Sequence, residues 1–272
     1  MSALGQLRKN VGFTLVEMVM VIIILGVLVL GVSSFVILGT RIFVESTSVD
    51  QVLSQSRFAM ERMTREIRNA VPNTLRVTAN PGTFQCIEFV PIQASGSYLE
   101  LPIAPDVTSK KGTIVTPSQG IDTDHRMLVY PLTPEHIYSA SATATEGRLL
   151  GVKKYKKTTN KVTFDSAVRF SEASPRNRFF MINNAVSYCF FTNGDIRRYA
   201  DYDLFNTEQP APVAMGTGVL MAENMVISTA GWPISYTPGT LSNNAVVQLT
   251  PRFVVNGQEF QYQHQVQVVN VP

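Results

Sequence analysis

Glu17 is a carboxylate at the mouth of an apolar run: "KNVGFTLVEMVMVIIILGVLVLGVSS" spans residues 9–34, and no charge occurs from Met18 to Leu38. A carboxylate near hydrocarbon costs roughly 2.5–3.5 kcal/mol on insertion scales, so its position calls for a partner or a task. Asp122-Thr123-Asp124-His125 and Asp201-Tyr202-Asp203 offer oxygen ligands for calcium. Neither has EF-hand loop spacing, and both read as polar surface turns. "KKYKK", residues 153–157, interleaves one aromatic with four cations, a pattern suited to DNA or acidic glycan and the one feature that suggests an adhesin or a DNA-uptake subunit. The plainer reading is a lysine-protected edge strand or a solvated hairpin. No HExxH, GxSxG, P-loop or paired-cysteine zinc pattern occurs. An enzyme is therefore not expected, and no metal or cofactor is assigned.

The elements that must position these groups begin with the apolar run. The 21 residues Met18 to Leu38, at the rise of a helix, extend about 31 Å, enough to cross a bilayer core. Arg8 and Lys9 precede the run and stay on the cytoplasmic side by the positive-inside bias, which sends the rest of the chain across the membrane. A secretory signal would end in a small-residue cleavage site after its apolar core. Here the small residue at a junction is Gly12, before it. Cys86 and Cys189, the only cysteines, lie in apolar strand-like runs and outside the cytoplasm by this topology. A disulfide between them is expected, the alternative being two buried free thiols.

Lys9-Asn10-Val11-Gly12-Phe13-Thr14-Leu15-Val16-Glu17 followed by the apolar run resembles the class III signal of type IV pilins and type II secretion pseudopilins. The resemblance implies that prepilin peptidase, a membrane aspartyl enzyme, cuts between Gly12 and Phe13 and methylates the new Phe13 amine. It makes Glu17 the fifth residue of the mature chain, where the family's glutamate pairs with the N-terminal amine of a neighbouring subunit. Two charges that are costly alone become tolerable together in the apolar bundle. The bland alternative is a helix-end glutamate held by the N-terminal dipole. "SRFAMERMTREIRNAVPNT" (56–74), "CIEFVPI" (86–92) and "VSYCFFTNGDIRRYADY" (186–202) resemble segments of larger minor pilins, among them those of mannose-sensitive haemagglutinin (MSHA) pilus systems, and of J-type pseudopilins. Implied partners are other pilins through the N-terminal helix, the inner-membrane assembly platform and the membrane. Where major pilins commonly carry a helix proline, this chain has Ser33-Ser34.

The rest of the chain reads as one α+β architecture. Val49, Leu53, Ser56, Met60, Met63, Ile67 and Ala70 draw one stripe along a helix that continues past the membrane to Pro72. Its other face carries Asp50, Arg57, Glu61, Arg62, Arg65, Glu66 and Arg68, with Glu61 and Arg65 in favourable order for an ion pair. Short runs broken by Pro, Gly, Asn and Ser follow, which predicts antiparallel β-structure. Asn193-Gly194 and Asn256-Gly257 suit tight type I′ hairpins. After the second, Phe260, Tyr262, His264, Val266 and Val268 share one face of a strand. Residues 95–120 read as a long surface excursion. The divisions are a leader, 1–12; a transmembrane and amphipathic helix, 13–71; and an extracytoplasmic β-rich, pilin-like domain, 72–272. Past the leader, 21 basic residues face 20 acidic ones, a balance that argues against nucleic acid as principal partner.

Overall fold

A computed structural model describes residues 12–122, 124–227, 231–240 and 243–268. Arg8 and Lys9 lie outside the described residues. Helix α1, Leu15–Arg68, begins at Thr14, whose hydroxyl accepts the Glu17 N–H at 3.3 Å. Thr14-Leu15-Val16-Glu17 has the spacing of a capping box, which satisfies one of the four N–H groups that every helix start leaves free. The helix crosses Ser33-Ser34 without a break, with the Ser34 hydroxyl bonded back to the Leu30 carbonyl at 2.9 Å. Its residues up to Asp50 form one compact unit, and those from Gln51 join the rest of the chain in a second.

In the first unit the apolar side chains of α1 are exposed along its length, and this helix is long and apolar enough to cross a membrane. In the second unit the buried helix residues are Val52, Ser56, Ala59, Met60, Met63, Thr64 and Ile67. The expected stripe is present from Ser56 on. At its start Val52 is buried in place of Leu53. The helix ends at Arg68, before Pro72, because Ala70 closes a tighter turn onto Ile67 and then bridges to Pro91.

A five-stranded antiparallel sheet forms the centre of the second unit, in the order Arg76–Asn80, Phe84–Phe89, Ala185–Phe191, Ile196–Tyr202 and Val219–Ala222. Its second and third strands are neighbours in space although 95 residues separate Phe89 from Ala185 in number. The intervening chain makes a second body. Ala94–Glu100 pairs with Ser109–Ile114 and with Arg178–Ile182, and the latter with Arg126–Leu128. Arg126–Leu128 pairs in turn with Leu149–Lys156, that strand with Lys161–Phe170, and that one back with Ser109–Ile114. The ring of six strands is closed.

Closure encloses a core of Tyr98, Ile114, Met127, Leu150, Val162, Phe164, Phe170, Phe179 and Met181. The surface excursion expected over 95–120 is thus corrected: it supplies two strands to a small barrel. Gly112 is tightly enclosed there: a Cβ at that position would lie 2.5 Å from Leu101 Cδ2, 3.1 Å from Val162 and 3.2 Å from the Glu100 carbonyl. The alternation of Arg126–Leu128 and its neighbours buries both faces. Met127, Leu150 and Met181 point into the barrel, while Leu128, Leu149, Phe180 and Ile182 join Cys86, Cys189 and Tyr138 in a second core beside the sheet.

The C-terminal strands form a hairpin bent at Pro251. Ala245–Leu249 pairs with Ile234–Thr237 and His264–Val268, and Arg252–Val255 with Met225–Val226 and Gln258–Gln261. Asn256 and Gly257 both have positive φ, 51° and 77°, as the type I′ turn requires. At the other hairpin only Gly194 does, at 96°. There the Asn193 side chain accepts the Asp195 N–H, Gly194 N–H reaches the Phe191 carbonyl, and the connection is a three-residue loop with a glycine bulge, not a I′ turn. His264 shares the face of Val266 and Val268, as expected, and stands opposite Leu249, but at the start of its strand it is exposed while the two valines are buried.

Candidate functional site

From Gly12 to Glu17 every residue is exposed. Gly12 would place a Cβ in empty space, Phe13 is 80% exposed, and Glu17 stands in the first turn of α1. Glycine lets another backbone approach closely, and an anionic side chain in a first turn is favoured by the helix dipole. The structure therefore puts Gly12, Phe13 and Glu17 within reach of other molecules and gives Glu17 the environment of the bland reading. Its own chain supplies no counter-cation among the described residues.

The distal half of α1 is tied to the sheet by Glu66. The Tyr188 hydroxyl and the Arg198 Nε donate to its Oε2 at 3.0 and 2.9 Å, and the Arg62 Nε to its Oε1 at 3.0 Å. Tyr188 and Arg198 face each other across the Ala185–Phe191 and Ile196–Tyr202 strands. Burial pushes the Glu66 carboxyl up, but the hydrogen bonds from Arg198 and Arg62 outweigh it and hold the group below the usual carboxylate range. The same burial, with the Glu66 charge, drives the Tyr188 phenol well above its ordinary value. Sequence reasoning placed Glu66 on the outer face and paired Glu61 with Arg65; the ion pair formed is Arg62 with Glu66. A second tie is Tyr262, whose hydroxyl accepts from Ser56 at 3.0 Å.

Cys86 and Cys189 are cross-strand neighbours and form a disulfide. It fastens the two strands from which the barrel is inserted. On the same sheet face as Cys86 lies Glu88, 1% exposed, paired with Arg76 and accepting from the Tyr202 hydroxyl at 2.6 Å, which in turn meets Ser187 at 2.8 Å. Arg76 also stacks 3.7 Å from the Tyr138 ring centre and donates to the carbonyls of Asn206 and Thr207. A glutamate between apolar residues in "CIEFV" was the available signal for a buried ion pair.

Of the remaining polar motifs, Asp122 and Asp124-His125 lie in a turn as expected, whereas Asp201 and Tyr202 end the strand Ile196–Tyr202 and only Asp203 begins a turn. His125 Nδ1 accepts the Asp122 N–H at 3.2 Å, and the Asp203 carboxylate accepts the Phe205 N–H at 3.2 Å, while Thr123 lies outside the described residues. Tyr202, between the two aspartates, is the buried partner of Glu88. Among the described residues no group of three His, Cys, Asp or Glu is arranged to hold a metal ion. Lys153 to Lys156 end a strand whose outer edge there is open, and Lys157 begins the turn after it.

These features describe an α+β protein built on one long N-terminal helix, whose first half suits a membrane and whose second half is the spine of a β-rich domain. The model for the prokaryotic N-terminal methylation motif matches residues 7–33. The N-terminus is thus type IV pilin-like. No curated protein and no solved structure matches the chain.

Proposed function

We propose that the protein is a minor pilin, a membrane-stored subunit that prepilin peptidase cuts between Gly12 and Phe13 and methylates at Phe13. It then enters a type IV pilus near the tip and supports assembly, with no catalysis of its own. The observation that carries this reading is the methylation motif over residues 7–33 running without interruption into a 54-residue helix. Such a helix serves first as a membrane anchor, with the β-rich domain in the periplasm of a Gram-negative cell, and then as the packing element of a filament. Glu17 receives the N-terminal amine of the next subunit, so this subunit has another above it. Segments 56–74, 86–92 and 186–202 favour an MSHA-type pilus and an MshO-like subunit over a J-type pseudopilin.

The test is the mature N-terminus. Mass spectrometry of the membrane-extracted protein should give a chain that begins at methylated Phe13, and replacing Gly12 with a bulky residue should leave the uncut precursor. A mature N-terminus at any other residue removes the reading. Co-purification with pilus subunits and not with a secretion filament then separates the pilin from the pseudopilin assignment.

A further inference from the structure

Of the eight lysines in the chain, seven, Lys110, Lys111, Lys153, Lys154, Lys156, Lys157 and Lys161, belong to three adjacent strands of the barrel and the turn that joins two of them. Lys111 and Lys161 are 50 positions apart, and antiparallel pairing brings them together. The pairing registers set Lys111, Thr163 and Lys154 in one cross-strand row and Thr113, Lys161 and Lys156 in the next. Positions two apart share a face, and Val162, which lies between the rows, is fully buried in the barrel, so both rows face outward. All seven lysines are exposed, and none makes an ion pair among the described residues. Glu100, beside Thr113, and Asp165, two residues past Thr163, are the acidic margins.

Edge protection accounts for Lys153 to Lys156, on the open edge of their strand, but not for the rest of this face. Lys161 lies on a strand paired on both sides, with Thr113 on one and Lys156 on the other. Lys156 directly opposite Lys161 is a like-charge pair that weakens the sheet unless a counter-anion lies over it. Composition argued against nucleic acid because charges nearly cancel over the chain, but cancellation is a sum and folding has separated its parts. From Phe13 on, the residues other than these lysines carry 14 arginines against 20 acidic side chains.

The geometry points to a binding face for the phosphate backbone of duplex nucleic acid. A dense array of ammonium point charges suits a ligand with one charge per about 1.7 Å of axis, whose counterions are released on contact. Single strands need exposed aromatic platforms, and the one aromatic here, Tyr155, is half-buried with its hydroxyl on Thr116. Planar carboxylates are best gripped by arginine forks, which this face lacks. The inference rests on the barrel and does not depend on the pilus reading.

The experiment uses the full chain in detergent and a short fluorescent duplex of random sequence, followed by anisotropy at about 50 to 200 mM salt. Four lysines in the two rows give a slope of log affinity against log salt of about −4. Gln at Lys154, Lys156 and Lys161 should reduce that slope by about 2.5 to 3 and weaken binding at low salt by at least about 10-fold. Arg at the same positions should retain binding, which excludes a folding artefact, and Gln at Arg57, Arg65 and Arg68 should leave it unchanged. The inference is overturned by absence of duplex binding, by equal loss in the arginine control, or by preferential capture of a heparin oligosaccharide or an acidic peptide.

Discussion

Reducing the Cys86–Cys189 disulfide perturbs the protein without changing its side-chain volumes, which makes its cost calculable. The bridge spans 103 residues, and the chain-entropy relation for a loop of that length gives about 4.7 kcal/mol at 25 °C. That figure assumes the whole loop is free in the unfolded state. If the barrel stayed folded while the sheet opened, only the connections 87–93 and 183–188 would be released, a loop of about 15 residues worth about 3 kcal/mol. The structure decides for the larger value, because Leu128, Leu149, Phe180 and Ile182 of the barrel strands lie in the same core as the two cysteines. Losing the sheet strips one face of the barrel of its cover. Urea unfolding of the full chain in detergent, oxidised and reduced, should therefore show one transition displaced by about 1.5 M for a slope near 3 kcal/mol/M. Two transitions, with only the earlier one sensitive to reduction and a difference at or below about 3 kcal/mol, would refute the shared-core argument.

Glu66→Gln keeps the shape of the helix anchor but removes its charge, and with Glu66 and Arg198 both about four-fifths covered the expected loss is about 1 to 2 kcal/mol, read from the urea midpoint. Because the folded carboxyl titrates below its unfolded value, its contribution is present above the unfolded pKa and is lost as pH falls through the folded one. The Gln variant should accordingly show a flatter acid limb than the wild type, and an identical limb would exclude Glu66 as its source. Gly112→Ala forces a Cβ to 2.5 Å from Leu101 and should cost about 1 to 3 kcal/mol in the same assay, whereas Gly120→Ala, which meets nothing, should cost under about 0.5 kcal/mol. Glu17→Ala should leave cleavage and membrane level intact and abolish piliation in a strain carrying only that copy. Normal piliation with the variant incorporated would return Glu17 to a capping residue.

What could be determined from the sequence alone was local or contiguous. The motif around Gly12, Phe13 and Glu17 is one unbroken string, the stripe from Ser56 to Ile67 repeats with the helix period, and Asn256-Gly257 encodes its own turn. Each is decided by neighbours within a few residues. Where the same two letters recur at Asn193-Gly194, a side-chain hydrogen bond to Asp195 and contact with the Met225 backbone selected a different turn. The barrel was illegible because its closure joins Ser109–Ile114 to Lys161–Phe170, and nothing in either segment names the other. Glu66 looked like a solvent-facing helix charge until Tyr188 and Arg198, more than a hundred positions away, were brought beneath it. The run at 153–157 stood out by itself, but nothing in the sequence joined it to Lys110, Lys111 and Lys161, for the same reason. Hydrophobic periodicity reports which face is buried, but only strand register decides which distant residues share that face.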